Sequence, residues 1–344
     1  MTERSLLESS PDPLASDASP ADRTDIAVIV VNYGTADLAV KAVDSVLELD
    51  CAPYRVALHL VDNGSPDSSE ALRLKEAAGH PLWQDRVTLY LESENHGFGG
   101  GNNLVLKRLA GRAQPPRYVF LLNPDAVVQP GTLDKLISFM EAHPSASIAG
   151  AGIIRSGTNA KVVASFRFPT LATEVFSGAP LSILSRVFKI HGVAMPVDTP
   201  ECPVDWVSGA GFIARFKDLE DIGFFDPAFF LYFEETDLMK RIDGDVFFVP
   251  SAQIVHIAGA ATGLIGGQHR NGRTPQFWYE SWRIYFDKHF GRLGALGIAL
   301  ARLTAYSVYF SAKLLSGSPS VQPHRFGRDF FAQVLIPLLT KRKL

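Results

Sequence analysis

The chain has 344 residues, of which 47% are hydrophobic and 20% are charged. This balance is typical of one large or two modest globular domains and excludes a chain that is disordered or collagen-like throughout. The formal net charge of −3 argues against a protein that binds nucleic acid in bulk, which would normally be basic. The two cysteines, Cys51 and Cys202, favour a reducing compartment and offer no spacing for a metal site.

The net charge hides an asymmetry along the chain. Residues 291–344 contain eight basic residues and one acid, Asp329, so this tail carries +7 and the remainder carries −10. The tail is also rich in Leu, Ala, Phe and Tyr, with Arg302 and Lys313 interrupting its apolar stretch. Two interpretations remain open: a helical tail on an anionic membrane surface, or a helical pair packed on the body.

The first residues differ in composition from the rest of the chain. Residues 1–24 combine acids with Ser and Pro and lack the apolar stretch of a secretory signal. Their composition predicts a disordered leader. We therefore expect a cytoplasmic protein.

Strands alternate with helices from Ile26 onwards. Residues 26–31 form a continuous apolar run, as in a strand buried on both faces, and Thr35 then precedes an amphipathic helix pattern. Further strands are predicted at 56–61, 87–91, 118–122, 246–249 and 254–256, and further helices begin near 65–67, at Asn102 or Asn103, and at Thr132. This order predicts an α/β fold with a mostly parallel, doubly wound sheet, flanking helices and a helical tail.

Polar residues follow four successive predicted strands. They are Asn32, Asp62, Asn95, and the pair Asn123 and Asp125. Each alone is an ordinary turn or cap residue. Ligands of open α/β sheets, however, bind outside the carboxyl ends of the strands, so the set together predicts a binding site.

The segment 95–103 places a glycine cluster at a strand-to-helix turn. Gly97, Gly99 and Gly100 would allow backbone N–H groups to approach an anion at the start of a helix. The segment lacks the Lys-Ser/Thr ending of a P-loop, and Asn102 stands where a dinucleotide fingerprint has its last glycine. The cluster alone is weak evidence.

An aromatic-rich segment leads directly into three acids. Glu234 and Asp237 share a helical face, whereas Glu235 points elsewhere. The preceding aromatic side chains would raise a carboxyl pKa, which suits a general base. The alternative is a helix N-terminus enriched in acids because of its dipole.

Two residues are candidate metal ligands. Asp125 follows Pro124 and suits a hard divalent cation that bridges two phosphates, although an Asx turn explains it equally well. His256 ends an apolar strand, where a lone histidine is more often structural.

Taken together, these motifs resemble glycosyltransferase family 2, and in particular its bacterial rhamnosyltransferase-like members, over about residues 25–290. The motifs that carry the resemblance are Val30-Val-Asn-Tyr33, Val61-Asp-Asn-Gly-Ser65, Asn95-x-Gly-Phe-Gly-Gly-Gly-Asn102, Leu122-Asn-Pro-Asp125, Ser208-Gly-Ala210, Phe224-Phe-Asp-Pro227, Tyr232-Phe-Glu-Glu-Thr-Asp-Leu238 and His256. The resemblance implies a GT-A fold and transfer of a sugar from a nucleotide-sugar donor with inversion.

The resemblance also implies roles for single residues. Asp62 would read the nucleobase, and the implied donor-binding set is Asn32, Asp62, Asn95, Gly97, Gly99, Gly100, Asn102 and Asn123. Asp125 would be the principal ligand of Mg²⁺ or Mn²⁺, assisted by His256, with Asn123 in place of the first acid of the family's Asp-x-Asp motif. Glu235 would be the catalytic base, usually Asp in the family, with Glu234 as the fallback. The loop near the sugar and acceptor would include Trp206, Gly209, Ala210 and Asp237.

The implied substrates follow from the same resemblance. The donor would be a dTDP- or UDP-sugar, with dTDP-rhamnose as the specific expectation, and the acceptor a glycan or lipid-linked intermediate of cell-surface polysaccharide. The catalytic domain would span residues 25–290. For the tail 291–344, it is the charge split along the chain that suggests contact with the inner membrane face.

Two alternatives of other classes remain. A sugar nucleotidyltransferase would normally carry a glycine-rich, basic motif after its first strand, where this chain has Asn32-Tyr-Gly-Thr. A non-catalytic assembly protein that binds a nucleotide sugar would explain the unusual Asn123 and Glu235.

Overall fold

The computed structural model describes residues 24–180, 191–256 and 272–340, together with the backbone of two short strands. Most of the predicted leader therefore lies outside the described residues. The strands are β1 (Ile26–Asn32), β2 (Val56–Asn63), β3 (Val87–Glu92), β4 (Tyr118–Leu122), β5 (Ala126–Val128), β6 (Ala146–Arg155), β7 (Lys161–Val162), β8 (Ser165–Phe166), β9 (Cys202–Pro203), β10 (Trp206–Val207), β11 (Gly211–Arg215), β12 (Asp245–His256), β13 (Leu264–Ile265) and β14 (Gln268–His269). The helices are α1 (Ala36–Leu47), α2 (Ser68–Ala78), α3 (Gly97–Ala110), α4 (Thr132–Ala142), α5 (Leu171–Gly178), α6 (Phe216–Asp221), α7 (Glu234–Arg241), α8 (Gln276–Leu315), α9 (Phe326–Phe330), a π-helical turn (Phe331–Leu335) and α10 (Ile336–Thr340).

A central sheet has the strand order β3-β2-β1-β4-β11-β6-β12-β5, with β7 and β9 paired at its side. Strands β3, β2, β1 and β4 are parallel, whereas β11 runs antiparallel to both β4 and β6. Helix α3 packs on β1 and β2, and α4 packs on β6 and β12. The mostly parallel α/β fold expected from the alternating pattern is therefore confirmed.

The parallel register brings the polar strand ends to one edge. Asn32 of β1 lies beside Asp62 of β2, and Leu122 at the end of β4 lies beside Val30. The strand β1 is fully buried, and helices α1 and α3 both pack against it. Tyr33, the residue that follows β1, is exposed.

Two predicted boundaries are wrong. Helix α3 begins at Gly97, several residues before the expected start at Asn102 or Asn103. Glycine is a poor helix former, so the sequence argued for a later start, but tertiary packing of this segment overrides propensity. The two short strands expected at 246–249 and 254–256 are one strand, β12, with a register irregularity between Val249 and Gln253.

A second core, largely aromatic, joins the C-terminal helices to the body. Helix α8 is broken at Gly291, where φ is +68°, and its two halves fold back on each other. The guanidinium of Arg302 lies 5.2 Å from the ring centre of Trp278, which is on the other half. Both halves reach the buried Glu174 of α5, through Arg302 and through the indole N–H of Trp282. We call residues 276–315 the C-terminal hairpin.

His59 makes folding stability depend on pH. Its imidazole is buried in β2, and burial and the nearby Arg112 lower its pKa from 6.5 to about 3. The unfolded chain binds a proton at this site below about pH 6.5, whereas the folded chain does not. We therefore expect stability to be lost as the pH falls from 6.5 towards 3, by about 2 kcal/mol between pH 7 and pH 5 from this residue. Urea denaturation of the wild type and of His59→Gln at both pH values measures this contribution. Equal pH dependence in the two proteins would contradict it.

Candidate active site

Asp62 is held at the sheet edge by two neighbours. Its Oδ1 accepts a hydrogen bond from the Asn32 amide at 3.2 Å and one from the Ser65 hydroxyl at 2.5 Å. The side-chain oxygen Oδ1 of Asn32 accepts hydrogen bonds from the backbone N–H and the hydroxyl of Thr35, at 3.1 and 3.0 Å. Asn32 is fully buried. The side chain of Asn32 therefore orients Asp62 and the first turn of α1.

Asn63, which the sequence analysis did not select, organises the next loop. Its amide donates to Asn95 Oδ1 and to the Gly97 carbonyl, both at 3.0 Å. Its side-chain oxygen Oδ1 accepts a hydrogen bond from the backbone N–H of His96 at 3.2 Å. The Asp-Asn-Gly-Ser motif contained a clue to this role. Adjacent residues of a strand point to opposite faces, so Asn63 and Asp62 must contact different neighbours.

The glycine cluster permits close packing. A Cβ on Gly97, where φ is +72°, would lie 1.9 Å from the carbonyl oxygen of Phe230, and a Cβ on Gly101 would lie 2.6 Å from Val31. Gly99 is buried against Phe225, and a Cβ on Gly100 would lie 2.7 Å from the Cβ of its neighbour His96. These glycines bring α3 against β1 and the loop before α7. Only Gly97 of the three predicted glycines lines the cavity described next.

Asn102 also faces inward. Its amide donates to the Phe98 carbonyl at 2.9 Å within the first turns of α3, and it is buried. The adjacent Asn103 exchanges two hydrogen bonds with the backbone of Phe225, at 2.8 and 3.1 Å. Asn102 therefore bonds within α3 and Asn103 ties α3 to the backbone of Phe225, while the donor-binding role of Asn102 stays a prediction.

A cavity of about 320 Å³ opens at the carboxyl edge of β1, β2 and β4. One wall is aromatic and contains Tyr33, Phe98, Phe230, Tyr232 and Phe277. The polar lining contains Asn63, Asn95, Asn123, Ser208, Glu234 and Glu235. The sequence analysis selected Asn95, Gly97, Asn123, Gly209, Ala210 and the two glutamates among the lining residues, and it selected none of the aromatic side chains for this role. Phe277 is the most distant in sequence, because it comes from the first turn of α8.

The carboxyl pair stands at the start of α7. The two preceding residues, Tyr232 and Phe233, have φ values of +70° and +66°. Residues other than glycine rarely adopt this conformation, and such strain is found at functional sites. It turns the chain sharply so that Glu234 and Glu235 begin the helix against the cavity.

Both carboxyl groups are held in a poorly solvated setting. Burial, and then the charge of Glu235, raise the pKa of Glu234 well above its usual value. Burial also raises the pKa of Glu235, although its own backbone amide and that of Gly209 oppose the shift. The Oε2 atoms of both are buried and accept no hydrogen bond from the described residues. The pair therefore resists simultaneous ionisation and retains capacity to bind a ligand hydroxyl.

The loop Ser208–Ala210 lies between the carboxyl pair and the sheet edge. A Cβ on Gly209 would lie 3.4 Å from Glu235 Oε1, so the glycine lets the backbone approach the carboxylate. The Ala210 carbonyl accepts from the backbone N–H of Asn123 at 3.0 Å. This loop therefore contacts both the residue that follows β4 and the start of α7.

Asp125 and His256, the two predicted metal ligands, lie side by side, while their role in binding a cation stays a prediction. Asp125 Oδ1 lies 2.9 Å from His256 Nε2, and the carboxylate is almost fully buried. The pairing of β5 with β12, in which His256 lies beside Ala126, brings them together. Within the described ranges no group of three or more His, Cys, Asp or Glu side chains is placed to hold a metal ion. One carboxylate and one imidazole could be two ligands of a divalent cation, which would need its remaining ligands from outside this pair.

Trp206 and Asp237 lie away from the cavity lining. Trp206 stacks on Phe166 with ring centres 4.0 Å apart, and its indole N–H donates to the Arg167 carbonyl at 3.0 Å. Asp237 is fully buried on the side of α7 that faces α8. Their roles in acceptor binding stay predictions.

Three basic side chains surround Asp237. Its oxygens lie 2.8 Å from His289 Nε2, from Lys288 Nζ and from Arg241 Nε. Burial alone would raise the pKa of this carboxyl, but the hydrogen bonds from these three residues outweigh it and lower the pKa to about 2. This cluster ties the helix that bears the carboxyl pair to the C-terminal hairpin.

Comparison with known proteins places this geometry in context. A family model described as glycosyl transferase family 2 matches residues 27–235. The rhamnosyltransferase WbbL of Escherichia coli (strain K12) is 24% identical over 241 residues, which cover 67% of this chain and 83% of that protein. The N-acetylglucosaminyl-diphospho-decaprenol L-rhamnosyltransferase of Mycobacterium tuberculosis (strain ATCC 25618 / H37Rv) is 26% identical over 228 residues, which cover 62% of this chain and 70% of that protein.

Two solved structures share the fold. The mannosyltransferase PcManGT from Pyrobaculum calidifontis, in complex with GDP-Man and Mn²⁺, matches with a TM-score of 0.53 and 15% identity over 96% of this chain and 92% of its own. GalNAc-T7 with UDP, GalNAc and Mn²⁺ matches with a TM-score of 0.57 and 13% identity, over 93% of this chain but only 58% of its own. At these identities the likeness concerns the fold alone, and it confirms the expected GT-A arrangement.

The close approach at Gly97 leads to a stability prediction. Gly97→Ala would place a Cβ 1.9 Å from the Phe230 carbonyl oxygen and also strain the backbone, so we expect a loss of about 3 kcal/mol or more. Gly223→Ala is the matched control, because Gly223 also has a positive φ but has open space around its Cβ position. The control should lose only about 1 kcal/mol. Urea denaturation measures both, and equal losses would show that the contact with Phe230 is unimportant.

Proposed function

We propose, since this chain belongs to glycosyltransferase family 2, that it transfers a sugar from a nucleotide-sugar donor to an acceptor hydroxyl with inversion at the anomeric carbon. The observation that carries the proposal is the buried carboxyl pair beside the loop Ser208–Ala210, in a cavity at the carboxyl edge of the sheet. We propose L-rhamnose as the sugar and dTDP-rhamnose as the donor, on the support of the two relatives named rhamnosyltransferases.

Asp62 is our candidate for binding the nucleoside part of the donor. Its carboxylate is oriented by Asn32 and Ser65, so it needs little reorganisation when it accepts hydrogen bonds from a base. A dTDP- or UDP-sugar offers a ring N–H for this contact. Asn63, the next residue along the chain, is hydrogen-bonded to Asn95, and both line the cavity into which the donor would extend.

Asp125 and His256 are our candidates for holding Mg²⁺ or Mn²⁺. A divalent cation in this position would neutralise charge that develops on the departing diphosphate. The two solved neighbours contain Mn²⁺, which supports a cation in this chain as well. Asn123 has no charge to add, so its backbone contact with Ala210 and its amide at the cavity are what it contributes.

Glu235 is our candidate base. Its raised pKa favours acceptance of a proton from the acceptor hydroxyl as that oxygen attacks the anomeric carbon. The diphosphate leaves from the opposite face, so a single displacement inverts the configuration without an enzyme nucleophile. Glu234, whose pKa is raised by burial and by the neighbouring charge of Glu235, is our candidate for a hydrogen bond to a sugar hydroxyl.

We propose that the acceptor is a hydroxyl of a lipid-linked glycan intermediate in the synthesis of cell-surface polysaccharide. The name of the mycobacterial relative includes a diphospho-decaprenol, which supports a lipid-linked acceptor here. The enzyme would then work in the cytoplasm, peripherally on the inner face of the membrane. Two free cysteines are compatible with a reducing compartment.

A pair of amide substitutions tests the assignment of the base. Glu235→Gln should lower the transfer rate by about 10²–10⁴-fold, because an amide cannot accept the proton. Glu234→Gln should lower it by less than about tenfold, because an amide still donates a hydrogen bond. Transfer assays give the rates, and calorimetry with the donor serves as the control, since neither variant should lose donor affinity. The reverse pattern would make Glu234 the base, and full activity of both variants would overturn the mechanism.

A binding screen tests the donor and the cation site together. Calorimetry with dTDP-, UDP- and GDP-sugars, with and without Mg²⁺ or Mn²⁺, should show tightest metal-dependent binding for a dTDP-sugar. Asp125→Ala should remove about tenfold or more of the metal-dependent affinity, because it deletes a charged ligand. Asp134→Ala, at an exposed acid of α4, is the matched control and should bind as the wild type does. Absence of binding to every donor would overturn the proposed function.

A further inference from the structure

The second half of the C-terminal hairpin has a solvent-facing side without charge. Leu293, Leu300, Val308 and Leu315 are 83%, 48%, 61% and 89% exposed. Their spacing of seven or eight residues places them on one side of a helix. We call this side the outer face; it consists of Leu293, Gly297, Leu300, Thr304, Val308, Ser311 and Leu315, all of them exposed.

The charged residues of this helical stretch do not lie on the outer face. Between residues 293 and 315 the sequence contains two, Arg302 and Lys313. Arg302 is buried and pairs with Glu174, and Lys313 lies over the ring of Tyr309 at 5.7 Å. Exposed helix faces of water-soluble proteins normally carry charged side chains, so this face is built for an apolar contact.

The last helical segment adds to the apolar surface. Arg292 donates to the carbonyl of Leu338, and Tyr306 packs against Phe326, so residues 326–340 lie alongside the second half of the hairpin. In this segment Phe331, Ile336 and Leu339 are 46%, 37% and 59% exposed.

The hairpin is not arranged as a span. Gln276–Leu315 is long and apolar enough to cross a membrane by length and composition. Gly291 breaks it, however, and the buried pair of Arg302 with Glu174 ties the second half to α5 of the body. Withdrawal of this half into a bilayer would separate that pair and leave a buried charge unpaired, at considerable cost.

Charge indicates what covers the outer face. Among residues 291–340 the basic side chains are Arg292, Arg302, Lys313, Arg325 and Arg328, and the single acid, Asp329, forms a two-bond ion pair with Arg273. Arg325 and Arg328 are exposed, and the sequence continues with Lys341, Arg342 and Lys343. An apolar helix face in a segment that is rich in basic residues and contains a single, paired acid matches the interface of an anionic phospholipid bilayer.

We infer that the outer face of the C-terminal hairpin lies flat on an anionic phospholipid membrane, with its leucines and valine at the level of the acyl chains. The inference deepens the proposed function and rests on it only for the presence of a lipid-linked acceptor. The same hairpin supplies Phe277 to the cavity and holds Asp237 through Lys288 and His289. Docking of the hairpin therefore fixes the orientation of the cavity relative to the membrane.

Flotation of the full chain with vesicles tests the inference. The vesicles are made of phosphatidylcholine alone or of equal parts phosphatidylcholine and phosphatidylglycerol. We expect binding to the anionic vesicles that weakens with added salt. A triple variant with Leu293→Gln, Leu300→Gln and Val308→Gln should lose roughly tenfold or more in vesicle partitioning.

A matched triple variant replaces exposed apolar residues of the body, Leu72→Gln, Leu171→Gln and Val197→Gln, and should bind vesicles as the wild type does. Donor calorimetry on both variants separates loss of docking from loss of the proposed function, since both should bind the donor normally. Wild-type binding by the outer-face variant, or no vesicle binding by the wild type, would overturn the inference. So would a dimeric wild type, measured by light scattering, that becomes monomeric in the outer-face variant without a change in vesicle binding.

Discussion

The missing side chain of Gly97 allows the contact on which the site depends. The Phe230 carbonyl oxygen occupies the space where any other residue would place its Cβ, and it also accepts a hydrogen bond from Phe98. This contact holds the aromatic loop against α3. From there the chain passes through two residues with positive φ into α7, which presents the carboxyl pair. The packing of the glycine cluster against this loop therefore helps to position the proposed base, Glu235.

A second constraint acts from the opposite side of α7. Asp237 is buried among three basic side chains, two of which, Lys288 and His289, belong to the C-terminal hairpin. Removal of Lys288 and His289 would leave the buried carboxylate with Arg241 alone among these three partners, which is costly. The hairpin is therefore part of the framework of the site. It also contributes Phe277 to the cavity wall.

The two departures from the family pattern have different consequences. Because Asn123 is uncharged, the proposed cation site depends on Asp125 and His256, whose Oδ1 and Nε2 atoms lie 2.9 Å apart. Glu235 has one methylene more than Asp, and Gly209 provides the space for its carboxylate next to the loop backbone. Both departures are therefore compatible with the proposed roles of a cation site and a base.

The pattern of apolar runs and helical periods by itself determined the α/β alternation, because a strand buried on both faces must be continuously apolar. It also determined that Asn32, Asp62 and Asn123 meet at one edge, since parallel strands end on the same side. Only the tertiary structure decided how the glycines are used, because their contact with Phe230 joins segments far apart in sequence. The same holds for Asn63, Phe277 and the partners of Asp237. No local pattern encodes such contacts, because they depend on how α7 and the C-terminal hairpin pack together.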